Sequence, residues 1–178
     1  VRSAAPESGF AIVGLAVVVA LGVGLVCGVL NGLMVVGLGV HPFIITLGTM
    51  WIVRGIAFVA SRAESILVPS GLTAVAKASL GLSESVYPVP LIVMLTVTAI
   101  GSIYLTRTVM GRHVFAIGGN PEASRFSGLS LSRITIGVFV ISGLTAGLAA
   151  LLGAAFYGSA SCGDATGYEL YVIASAVV

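Results

Sequence analysis

The chain of 178 residues is 58% hydrophobic and 8% charged, with a mean hydropathy of +1.17 and a formal net charge of +2. Soluble domains carry about 25% charged residues, so these proportions exclude an ordinary globular domain, and so thin a positive charge excludes a nucleic-acid footprint. Two cysteines, Cys27 in an apolar run and Cys162 in a connection, exclude a disulfide framework and lack metal-ligand spacing.

The first uncharged run covers residues 10–36. A spanning helix needs about 20 apolar residues at ~1.5 Å each, so this run crosses a bilayer with length to spare. Gly24, Gly28 and Gly32 recur at every fourth position. That spacing puts a stripe free of side chains on one helical face, where a second helix can approach closely in lipid. Asn31 sits at the end of the stripe.

His41 and Pro42 introduce a second run, 43–60, interrupted by Arg54. Proline suits a helix start because its missing N–H has no partner there anyway. Arg54 lies ~9 Å from the outer end at Ala60. It either faces the bundle or a watery cavity, or snorkels its head group to the interface. Residues 61–87 are polar and mixed in charge, with a short interfacial helix expected near 73–80. A third run, 88–105, opens on Pro88 and Pro90. The most polar stretch, 106–133, follows, and then a fourth uncharged run, 134–156, in which Gly143 and Gly147 repeat the small-residue spacing. A connection over 157–170, whose Asp164 and Glu169 read as solvated, leads to a partial segment at 171–178. All six prolines lie in connections or at span openings, as the ~3 kcal/mol cost of an interior proline requires.

These features predict an all-α, polytopic transmembrane helix bundle, with four spans and the start of a fifth belonging to one transmembrane domain over 1–178. The chain begins at Val1 without a methionine or a signal-peptide layout and stops at Val178 inside an apolar run, so both ends read as truncations. Arg107, Arg112, Arg125 and Arg133 stand against Glu122 alone in 106–133, whereas Arg62 and Lys77 in 61–87 are balanced by Glu64 and Glu84. By the positive-inside rule the arginine-rich connection is cytoplasmic, and alternation places 61–87 and 157–170 outside.

Within that connection Asn120 is an N-cap, Pro121 suits the first helical position, and Glu122 favours the positive end of the helix dipole. Arg125 falls near the C-terminal end, and Gly128 suits the left-handed position beyond it. The signals predict a helix of about two turns, too short to be stable in water alone. It needs a docking surface, either its own bundle or a partner; the alternative is a solvated loop with a stray turn. No phosphate loop of the G-x-x-x-x-G-K-[ST] type is present, and His41 and His113 have no acid spaced to complete a zinc site. Nothing in the sequence marks an enzyme or calls for a cofactor.

The order Asn31-Gly32, His41-Pro42-Phe43-Ile44-Ile45-Thr46-Leu47-Gly48-Thr49-Met50 and Arg54-Gly55 resembles the permease subunits of bacterial ribose-type ABC transporters. So do Thr106-Arg107-Thr108-Val109-Met110-Gly111-Arg112, then Ala116-Ile117-Gly118-Gly119-Asn120-Pro121-Glu122-Ala123 with Ser127-Gly128, and finally Gly167-Tyr168-Glu169-Leu170. The resemblance implies a subunit of a bacterial cytoplasmic-membrane importer for a monosaccharide or similar polyhydroxy compound. Its implied partners are a cytoplasmic ATP-binding subunit, an extracytoplasmic solute-binding protein and a second permease copy. It also implies that Asn120, Pro121, Glu122, Ala123, Ser124, Arg125 and Gly128 form the coupling helix that contacts the ATPase. Asn31, Phe43, Thr46 and Arg54 are pathway candidates by position and chemistry. Ser124 stands where the family tends to have alanine, Cys162 where proline is common and Ala165 where glycine is common. An ion-coupled secondary transporter would instead need acids inside spans, and the four runs contain none. A membrane scaffold would need no transport partner at all.

Overall fold

The computed structural model describes residues 6–77 and 88–177. Among the described residues, four helices are long and apolar enough to cross a membrane: α1 (Pro6–Leu38), α2 (Pro42–Ser61), α4 (Pro88–Arg107) and α7 (Leu131–Tyr157). Between them lie β1 (Ile66–Leu67), α3 (Ser70–Ala76), α5 (Val109–Gly119) and α6 (Pro121–Phe126); β2 (Ser159–Ala160) and α8 (Tyr168–Val177) follow α7. The chain is thus an all-α, multi-pass membrane protein, with one two-residue ribbon among the described residues.

The α1–α7 pair is the spine of the bundle, and its register follows from glycine. A Cβ added at Gly24 would overlap the Gly143 carbonyl, and one at Gly28 would lie 2.5 Å from the Phe139 oxygen. One at Gly32 would meet the Ile136 Cα at 3.1 Å, and one at Gly147 would overlap the Ala20 carbonyl. Rising numbers on α1 meet falling numbers on α7, so the helices are antiparallel. In lipid there is no hydrophobic drive between apolar helices; close van der Waals contact takes its place, and glycine makes that contact possible.

The ends of α2 and α7 meet at one end of the bundle. β1 pairs antiparallel with β2, Ile66 opposite Ala160 and Leu67 opposite Ser159, and Ser61 Oγ lies 3.1 Å from Cys162 Sγ. Beneath this ribbon α3 buries Leu72 and Ala76 against Ala155, with Val13, Ala16, Val68 and Leu151 packed around them. The short helix expected at 73–80 therefore begins at Ser70, right after Pro69, and its last turn is complete at Ala76; residues 78–80, like Glu84, lie outside the described residues.

Two boundaries move outward for a common reason. α7 starts at Leu131, taking Arg133 into its first turn, and α4 runs on to Arg107, because a charged residue at a span end can still be helical while its head group reaches water. α8 likewise starts at Tyr168, just after Gly167 at φ +86°, rather than at Tyr171.

The larger departure is α5. The stretch 106–133 is a pair of helices, where composition suggested a connection with one short helix. Thr108 caps α5, its Oγ1 accepting from Gly111 N at 3.1 Å and donating to the Tyr104 carbonyl at 2.7 Å. Gly111 is buried in this corner, where a Cβ would overlap the Leu105 carbonyl. The Thr-x-x-Gly spacing of 108–111 thus folds α5 sharply back from the end of α4.

Candidate functional site

The arginine-rich end carries the most defined local structure. Asn120 closes one helix and opens the next: its backbone N–H donates to Ala116 O at 3.0 Å, ending α5, and its Oδ1 accepts from Ala123 N at 3.0 Å, starting α6. Pro121 occupies the first position of α6 and Glu122 its first turn, with Arg125 in the last. Beyond the end, Gly128 adopts φ +80°. Gly128 N then donates to Arg125 O at 3.1 Å and Leu129 N to Ser124 O at 3.1 Å, the paired bonds of a Schellman stop.

Both ends of this two-turn helix are therefore satisfied locally, and it stands out from the bundle. Ser124 is 5% exposed and seats α6 on its neighbours α5 and α7. Pro121, Glu122, Ala123, Arg125 and Ser127 are exposed. Phe126, which the sequence reading did not single out, is 91% exposed. Its only signal in the sequence is an aromatic residue two places before the stop glycine. Where α6 turns into α7 there is an open recess of about 460 Å³ lined by Arg125, Leu129, Ser130, Leu131 and Ser132.

The candidate pathway residues do not converge on one cavity among the described residues. Phe43 is exposed in the first turn of α2, which His41 caps through Nδ1, accepting from Phe43 N at 3.3 Å. Thr46 turns its hydroxyl back on its own helix, 3.0 Å from the Pro42 carbonyl and 3.2 Å from that of Phe43. Arg54 lies half-buried with its guanidinium 5.6 Å from the centre of the Trp51 ring, a cation–π contact within α2. Asn31 is half-buried and meets α2 through Thr49, whose Oγ1 lies 2.7 Å from Asn31 Oδ1. The packing glycines Gly24, Gly28, Gly32, Gly143 and Gly147 all lie in the α1–α7 seam.

Apolar spans joined by corners and a capped, projecting helix define a multi-pass membrane protein. The family whose sequence profile matches residues 4–178 is described as "Branched-chain amino acid transport system / permease component", and the chain belongs to it. Among curated relatives it is 40% identical over 158 residues to the D-allose transport system permease protein AlsC of Escherichia coli (strain K12), covering 88% of this chain and 47% of that protein. It is 34% identical over 146 residues to the fructose import permease protein FrcC of Rhizobium meliloti, 78% of this chain and 41% of that one. It is also 34% identical over 165 residues to the ribose import permease protein RbsC of Haemophilus influenzae, 92% of this chain and 51% of that one. The chain spans about half the length of these relatives. No solved structure matches it.

Proposed function

We propose that this chain is part of the membrane-spanning subunit of an ATP-driven importer of a monosaccharide or similar polyhydroxy solute. The observation that carries the reading is α6, a helix of six residues whose ends are both capped and whose surface, apart from Ser124, is open. An element so short has little stability of its own and offers charge and an aromatic ring to water. That is the form of a contact awaiting a partner. The family's transport role supports a cytoplasmic ATP-binding subunit as that partner, and the relatives named for allose, fructose and ribose support the sugar class.

In this reading the arginine-rich end faces the cytoplasm of a bacterial inner membrane. Nucleotide-driven closure of the ATP-binding subunits pushes α6. Ser124 and the α5–α6–α7 joint pass that displacement to the spans, which open alternately to either side. The β1–β2 end lies outside, where a solute-binding protein delivers the sugar, and a second permease copy completes the assembly. Asn31, Phe43, Thr46 and Arg54 are the proposed pathway residues.

Two experiments test the reading. Cells lacking the permease should lose uptake of at least one labelled monosaccharide among allose, ribose, fructose and arabinose; unchanged uptake of all of them, with loss of leucine uptake instead, would overturn the sugar class. Affinity purification of the permease should bring down an ATP-binding subunit, and Glu122→Lys or Arg125→Glu should weaken that association; failure to recover any ATPase with the unaltered protein would overturn the coupling role.

A further inference from the structure

Asn31 is an amide placed in an apolar span, about 10 Å along α1 from its end at Leu38. Thr49 is equally deep in α2, about 10 Å from Pro42. The Thr49 hydroxyl lies 2.7 Å from Asn31 Oδ1 and 3.1 Å from the carbonyls of both Ile45 and Thr46. It has one proton to give, and the shortest contact is the one between helices. That bond uses the oxygen of the Asn31 amide and leaves its NH₂ group, two donors, with no partner among the described residues.

No buried polar side-chain atom is left unsatisfied among the described residues, so this NH₂ reaches the surface of α1, and its setting bears on what it serves. The polar side chains of α2 share one side of that helix: Thr46, Thr49, Arg54 and Ser61 are all half-buried. The other side carries exposed Ile44, Trp51, Ile52 and Val59, a surface suited to lipid. Helical geometry at 100° per residue keeps the polar set within less than half the circumference. Through Thr49 the Asn31 amide therefore meets the side of α2 that carries Thr46 and Thr49.

We propose that Thr49 is a positioning residue for sugar passage: its hydroxyl fixes the Asn31 amide so that the NH₂ donates to a hydroxyl oxygen of the solute in the inner half of the pathway. This rests on the monosaccharide-importer reading above. The chemistry matches the solute class, since a sugar hydroxyl accepts as well as donates and a neutral amide binds it without trapping it as a charged group would. Without the Thr49 bond the amide is free to rotate, and the donor is presented only part of the time.

The test uses the permease assembled with its ATP-binding and solute-binding subunits in proteoliposomes, at saturating solute-binding protein. Labelled uptake is compared for the best monosaccharide and its singly deoxygenated analogues. Thr49→Val, which keeps the shape and removes the hydroxyl, should lower uptake of the sugar about 3- to 10-fold, the usual reach of one hydrogen bond. It should leave uptake of one deoxy analogue nearly unchanged. Thr49→Ser should restore the rate. In the Asn31→Leu background, Thr49→Val should have no further effect. Thr96→Val, which removes a hydroxyl bonded only to its own helix at Ile92 O, should be neutral.

Uptake by Thr49→Val equal to that of the unaltered transporter would overturn the inference while leaving the importer reading standing. So would an equal loss for the sugar and for every deoxy analogue, the mark of a bond that only holds α1 to α2. Absence of monosaccharide uptake by the unaltered transporter would overturn the importer reading, and this inference with it.

Discussion

At the residue scale the sharpest expectation concerns Phe126. A phenylalanine ring 91% exposed on a helix of six residues is unfavourable in water and favourable in a partner's pocket, and buried aromatic side chains are the usual anchors of protein interfaces. Phe126→Ala is expected to weaken association with the ATP-binding subunit by more than about 1 kcal/mol, roughly 5-fold or more, measured by titrating that subunit onto detergent-solubilised permease. Phe126→Leu should retain most of the affinity. An unchanged affinity for the alanine variant would remove Phe126 from the interface. A second residue carries a local cost. Ala165 sits at φ +57°, a left-handed conformation that costs an L-residue roughly 1–2 kcal/mol. Ala165→Gly should raise the thermal midpoint of the solubilised protein, and a lower midpoint would contradict this account of the loop.

At the scale of elements, the α1–α7 seam predicts a graded series. Gly24→Ala and Gly28→Ala bring a methyl group onto a backbone oxygen of α7, whereas Gly32→Ala asks the Ile136 Cα and Phe139 Cβ to yield from 3.1 and 3.2 Å. The first two should destabilise by about 1–3 kcal/mol, the range for overpacking, and Gly32→Ala by less. Gly22→Ala, with nothing described within 4 Å, should be neutral or slightly stabilising through helix propensity. Thermal unfolding in detergent gives the order, and a uniform response across the four would contradict the register. Gly111→Ala should also be costly, because its methyl would meet the Leu105 backbone in the α4–α5 corner.

What could be read from the residues at this scale depended on how far each signal reaches along the chain. The spans were legible because bilayer thickness demands long apolar runs and because proline stands only at their openings. α6 was legible because its caps, Asn120 and Gly128, act within one turn. α5 was not: an amphipathic helix of 11 residues with Arg112 on it has the composition of a solvated loop, and its start signal, Thr108, lies inside a polar stretch. The Asn31–Thr49 bond was beyond reach as well, since the register between two helices is set by packing that neither helix's sequence states alone.

At the scale of the whole molecule, the antiparallel α1–α7 pair and the ribbon joining the ends of α2 and α7 put 61–77 and 158–167 at one end and α5 and α6 at the other. In the proposed orientation, which puts Arg112 on the cytoplasmic side, a membrane-impermeant maleimide should label Arg112→Cys only in inside-out vesicles and Ser65→Cys only in intact cells treated to open the outer envelope, both in a background lacking Cys27 and Cys162. The reverse pattern would invert the topology. ATP hydrolysis by a partner docked on α6 should drive a monosaccharide through these spans, and uptake into proteoliposomes holding the permease and its ATP-binding subunit measures this. A labelled monosaccharide should accumulate only with internal ATP and external solute-binding protein, and should go on accumulating when ionophores collapse every ion gradient. Uptake that proceeds without ATP and disappears with the ionophore would contradict it.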